Sequence, residues 1–138
     1  MVMKHELQAE LRRRYPNFYR EPVQGLDAIE PFDEQGVEWG DGWFDLIDRL
    51  SCTCESEIQA LVAQGMPQNA WPRIAQIKEK FGGLRFYVRG PLSEALRAQI
   101  QQAQTETSLG ICERCGASGK LRTGRWLHTA CDSCAAAV

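Results

Sequence analysis

The stretch QIKEKFGGLRFYVR, residues 76–89, sets two adjacent glycines between runs that alternate charged with apolar side chains. Alternation of this kind predicts two β-strands, about 73–81 and 84–89, joined by a tight Gly82-Gly83 hairpin turn. Nucleotide-binding loops also use glycines, but they lead from a strand into a helix with a fixed spacing, and here a second strand follows. A Gly82-Gly83 turn sets Phe81 opposite Leu84, Lys80 opposite Arg85, Lys78 opposite Tyr87 and Gln76 opposite Arg89. One face then carries Ile77, Phe81, Leu84, Phe86 and Val88, with Glu79 as its misfit. The other carries Lys78, Lys80, Arg85, Tyr87 and Arg89. Like charges directly opposed cost a few tenths to about 1 kcal/mol, so Lys80 against Arg85 calls for an anion nearby. Three sources fit: a nucleic-acid backbone, an acidic protein partner, or the chain's own acidic segment.

That segment is conspicuous. Residues 21–48 hold nine carboxylates and no base, and residues 1–60 hold 13 acids against 6 bases, a net of −7. Residues 61–138 reverse the sign, with 10 bases against 5 acids, a net of +5. Such asymmetry marks either a charged partner surface or two halves that face each other. The whole chain, at net −2 with 43% hydrophobic residues in 138, has the composition of one globular domain or one domain with an appendage. No apolar run is long enough to span a bilayer, and the start lacks the pattern of a signal peptide, so a cytoplasmic protein is expected.

Outward from the hairpin, residues 2–15 read as a helix with Met3, Leu7, Leu11 and Tyr15 on one side and Pro16 as its stop. Residues 17–42 read as a long ordered loop anchored by Phe18, Tyr19, Ile29, Phe32 and Trp39, with its acids facing water. Asp41 or Gly42 is expected to cap a helix over 43–64, whose stripe is Trp43, Ile47, Leu50, Cys54, Ile58 and Leu61. Residues two apart on a helix point in different directions, so Cys54 belongs to the core and Cys52 does not, and the pair reads as two free thiols. A further helix follows Gly90-Pro91 or Ser93, with Leu92, Leu96, Ile100 and Ala103 along one side. Helices packed on a small antiparallel sheet make an α+β fold.

The last thirty residues differ in kind. Cys112 and Cys115 form one C-x2-C pair, Cys131 and Cys134 another, with 15 residues between them. This is the spacing of a four-thiolate zinc site, in which each knuckle aims two sulfurs at one centre. Two disulfides or an iron–sulfur cluster are the alternatives. The intervening residues read as a short hairpin turning at Thr123-Gly124, too small to hold itself by burial, so one structural zinc ion is expected to stabilise it. Four thiolates leave no open position for catalysis, and no H-x-E element of a zinc deaminase is present. His128 reads as a neighbour of the site rather than a ligand, and His5 as a helix-surface residue. The organisation expected is an α+β domain over 1–107 and a zinc-ribbon-like module over 108–138, packed on the first.

Taken together, DGWFDLIDRL, QIKEKFGGLRFYV and the CERCG…CDSC ending resemble a group of short, uncharacterised bacterial and phage-borne proteins, over about residues 40–134. That resemblance implies one integrated unit with a site at the hairpin and names no substrate. The C-terminus separately resembles zinc ribbons and treble-clef knuckles, although the residues after Cys134 are too few for the usual closing helix. The leading functional expectation is a non-enzymatic protein that binds an unidentified protein, with a phage- or bacterium-encoded modulator of a host system as the setting the resemblance implies. The alternatives are a nucleic-acid binder, extended by Lys120, Arg122, Arg125 and Trp126, and a small enzyme using Glu79, Asp41 and Asp45. No catalytic set, membrane contact or small-molecule substrate is indicated.

Overall fold

The computed structural model describes residues 2–137. Its helices are α1 (His5–Arg14), α2 (Pro31–Gln35), α3 (Phe44–Ala63), α4 (Glu94–Thr105) and α5 (Asp132–Ala136). Its strands are β1 (Arg73–Lys80), β2 (Gly83–Arg89), β3 (Lys120–Arg122) and β4 (His128–Ala130), paired as two antiparallel hairpins. The fold is α+β, with helices packed on a small antiparallel sheet and a C-terminal cysteine-bearing module resembling a zinc ribbon. Among the described residues, no helix is long and apolar enough to cross a membrane.

The first hairpin turns one residue earlier than the glycine pair implies. Phe81 and Gly82 occupy the turn with φ of 56° and 82°, the double positive φ that a type I′ turn requires. Gly83 instead begins β2 opposite Lys80, where an added Cβ would lie 3.2 Å from the carbonyl oxygen of Gln104. One glycine thus serves the turn and the other a close approach. Lys78 faces Arg85, Ile77 faces Phe86 and Glu79 faces Leu84. The shift changes cross-strand partners without exchanging faces, so a like-charge pair persists with Lys78 in place of Lys80. Phe81 leaves the core and stands 65% exposed. Glu79, the apparent misfit, turns its carboxylate to accept the Gly82 N–H at 2.7 Å.

A bulge at Ala75 then restores Ile74 to the inner face opposite Val88 and sets Arg73 opposite Arg89. Ile77, Leu84 and Phe86 are buried with Ile47, Leu50, Cys54 and Ile58 of α3 and Leu96 and Ile100 of α4. Phe18 stacks on Phe86 at 5.9 Å. Both sheet edges are closed. The N–H groups of Leu84 and Phe86 donate to Ser108 Oγ and Gln104 Oε1 at 3.0 and 2.7 Å, and Val37 bridges to Ile77 on the far side. An edge protected in this way does not recruit further strands.

The acidic stretch is less of a loop than its composition suggests. Glu30 and Asp33 form a reciprocal capping box around Pro31 that starts α2. Its acids do not all face water. Asp33 forms a buried ion pair with Arg73, and Glu30 holds Arg89 at 2.8 Å. Asp41 does not cap α3. The chain enters that helix through a 3-10 turn at Asp41–Trp43, and Asp41 Oδ1 accepts the Lys4 N–H at 2.9 Å. Ser93 does cap α4, accepting the Leu96 N–H at 3.1 Å.

A phenylalanine held at positive φ carries a strain that asparagine tolerates. Phe81→Asn is therefore expected to stabilise the protein by about 1 kcal/mol, raising the midpoint of thermal unfolding by roughly 2–4 °C. An unchanged or lower midpoint in a thermal melt would contradict the turn geometry.

Candidate metal centre

The Sγ atoms of Cys112, Cys115, Cys131 and Cys134 lie within 4.8 Å of one another. Two structural units bring them together. The first is the turn after Ile111, closed by the Gly116 N–H donating to Cys112 O at 2.9 Å, with Gly116 at φ 83°. The second is the junction of β4 and α5, where Cys131 caps the helix and its Sγ accepts the Cys134 N–H at 3.4 Å. The helix starts immediately after Cys131 and includes Cys134. The module thus closes on a five-residue helix, shorter than the usual closing helix of a treble clef.

Cys115 Sγ and Cys131 Sγ stand 3.7 Å apart. That matches the edge of about 3.8 Å in a tetrahedron of sulfurs around a metal at 2.3 Å, and far exceeds the length of a disulfide bond. The thiols of the cluster are shifted in opposite directions. Burial opposes ionisation of Cys112, but backbone N–H groups of Cys131, Cys115 and Arg114 outweigh it and bring its thiol down to about 6. Hydrogen bonds with the neighbouring sulfurs of Cys131, Cys112 and Cys115 push Cys134 up to about 12. The donor set fits a soft, tetrahedral metal ion, and the cluster is capable of binding one.

The module does not stand apart from the rest. Gly42 lies directly against the first knuckle: an added Cβ would overlap Cys112 O and lie 2.7 Å from Glu113 C and Gly116 N. Its N–H donates to Glu113 O at 3.0 Å, and the neighbouring Trp43 indole donates to Ile111 O at 3.1 Å. The start of α3 is thereby fastened to the cysteine turn. At the other end, Thr129 Oγ1 donates to Gly82 O at 2.7 Å, and Leu121 covers Gly82. The four-cysteine module therefore touches both the DGW helix start and the hairpin turn. Glu113, buried beside Cys112, donates its N–H to Thr129 O at 3.0 Å and accepts the Thr129 N–H on its side-chain Oε2 at 3.4 Å, and burial raises its carboxyl pKa. Neither Glu113 nor Thr129 had a signal in the sequence, because their burial depends on the module docking.

The residues expected to bind a partner divide into two groups. Arg89 is held by Glu30, so the acidic segment occupies that end of the cationic face together with Arg73. Among the described residues, no carboxylate lies within 4.0 Å of Lys78, Lys80 or Arg85, and Tyr87 is exposed beside them. Lys80 Nζ lies 5.4 Å from the centre of the Phe81 ring. On the module, Arg122 folds back onto Ala130 O and Asp132, while the Trp126 ring lies 5.3 Å from that of His128. His128 is not among the clustered donors. Glu79, Asp41 and Asp45 do not converge: Glu79 serves the turn and Asp41 the backbone of Lys4. Cys54 is buried on the core face of α3, and Cys52 is exposed.

Comparison with known proteins finds no matching family model, no similar curated protein and no similar solved structure.

Because Gly42 meets backbone rather than a flexible side chain, Gly42→Ala must displace the knuckle. We expect it to cost about 1–3 kcal/mol in thermal or denaturant unfolding and to weaken metal retention against a chelator. Gly110→Ala is the control, since an added Cβ there meets nothing within 4 Å. Equal behaviour of the two variants would contradict the close packing of helix start on knuckle.

Proposed function

We propose that this is a non-enzymatic protein, stapled by one structural zinc ion, that acts by binding another protein through the cationic end of its first hairpin. The observation that carries the reading is the uneven pairing of that face. Arg73 and Arg89 take carboxylates from residues 30–33, whereas Lys78, Lys80 and Arg85 have none among the described residues. Lys78 is directly opposite Arg85, an arrangement that an incoming anion relieves. Zinc is the metal best suited to a closed set of four thiolates, and it supplies cross-linking rather than chemistry. Cys112, Cys115, Cys131 and Cys134 would hold it. Free thiols throughout suit a reducing compartment such as the cytoplasm. The phage- or bacterium-borne setting implied by the motif resemblance suits a modulator of a host system.

Nucleic acid is the competing anion. It is disfavoured by the pI of about 5.7, because a nucleic-acid footprint is normally strongly basic.

Two measurements test this reading. Metal analysis of the purified protein should give one zinc per chain, and Cys112→Ser should lose it; iron in its place would overturn zinc as the metal, and full zinc retained by Cys112→Ser would overturn the ligand set. In cross-linked bacterial cell extracts, the doubly reversed Lys78→Glu, Arg85→Glu variant should fold and lose a protein that the parent captures. Unchanged capture, or tight binding of a dT20 oligonucleotide that falls steeply with salt, would count against a protein partner.

A further inference from the structure

We propose that Phe81 is the anchor of the contact surface, inserted into an apolar pocket on an acidic segment of the partner protein. This deepens the reading above and rests on it. The first observation is a conflict between side chain and backbone. Phe81 sits at φ 56° in a turn whose geometry favours Asn-Gly, and its ring is 65% exposed. A turn selected for stability alone would carry neither the strain nor the exposed ring, and local strain of this kind marks functional positions.

The second observation is that the turn is held in place. Glu79 accepts the Gly82 N–H, Thr129 donates to Gly82 O, and Leu121 packs on Gly82 from the four-cysteine module. An aromatic ring on a fixed turn loses little freedom on binding, which is what favours such residues as anchors. Leu121, itself exposed, extends the apolar contact beside it.

The third observation is the chemistry around the ring. Lys80 Nζ lies 5.4 Å from the ring centre, and Lys78 and Arg85, paired with each other across β1 and β2 behind the turn, have no carboxylate partners among the described residues. An apolar tip on a cationic hairpin end is complementary to an apolar pocket with an acidic rim. A single-stranded nucleic acid would instead call for a basic groove that tracks its backbone, and Phe81 is on a turn, not in a groove. The same hairpin already receives Asp33 and Glu30 at its other end, so carboxylate recognition by this surface has a precedent within the molecule.

The probe is a library of random 16-residue peptides displayed on phage and panned against the zinc-loaded full chain, with the enriched sequences resynthesised for fluorescence anisotropy. The expected peptides carry net negative charge and at least one bulky apolar residue. Phe81→Asn should weaken them about tenfold or more, while Phe81→Leu keeps most of the affinity. Because Phe81→Asn is expected to be more stable than the parent, such a loss is not one of folding. If Lys78→Glu with Arg85→Glu abolishes binding and Phe81→Asn does not, the anchor is wrong and the cationic contact stands. If no acidic peptide is enriched, or dT20 binds more tightly than any peptide, both the anchor and the protein partner are overturned.

Discussion

The contact on which most of this structure depends is backbone against backbone, where Gly42 meets the turn between Cys112 and Gly116. Nothing larger than a hydrogen fits there. The Gly42 N–H and the Trp43 indole donate across it to Glu113 O and Ile111 O, tying the start of the 20-residue helix α3 to the cysteine knuckle. On its other side the same module grips Gly82 through Thr129 and Leu121. A four-thiol cluster near the chain end therefore bears on two segments some 30 and 70 residues upstream, as judged from the numbering. A metal ion held there would stabilise more than its own small hairpin, because release of the knuckle removes the support of both segments.

Electrostatics divides the first hairpin lengthwise. At its open end, Arg73 is buried in an ion pair with Asp33, and Glu30 reaches Arg89. Removing one partner of a buried pair is costly, since the other charge is left without solvent or counterion. The opposite sign of the two chain halves is thus partly an internal match, in which the acidic stretch folds onto basic strands. At the turn end the match stops. Lys78, Lys80 and Arg85 have no carboxylate partner among the described residues, Lys80 lies near an exposed aromatic ring, and that remainder is what an external partner would meet.

The parts legible in the sequence were those governed by local rules. Alternation sorted the faces of the hairpin, helical spacing placed Cys54 inside and Cys52 outside, and the two C-x2-C pairs marked the sulfur cluster. The turn was misplaced by one residue because Gly82-Gly83 satisfies every local rule for a two-residue loop. What moved it was tertiary: Gly83 lies against the Gln104 carbonyl, and the Thr129 hydroxyl donates to the Gly82 carbonyl. Helix α2 was hidden in a stretch dominated by acids, although Glu30-Pro31 followed by Asp33 is a capping signal. The burial of Arg73 with Asp33 could not be foreseen, because a residue spacing of 40 carries no local signal.

The most direct test of the central claim is residue-resolved amide hydrogen exchange on the full chain, compared between the metal-loaded protein and the protein stripped by a strong chelator. If the four-cysteine centre supports the helix start and the hairpin turn, stripping should lower protection at Gly42 and Gly82 along with Cys112 and Gly116, while Ile58 in the middle of the core retains more of its own. Protection lost only between residues 111 and 137, with Gly42 and Gly82 unchanged, would contradict it.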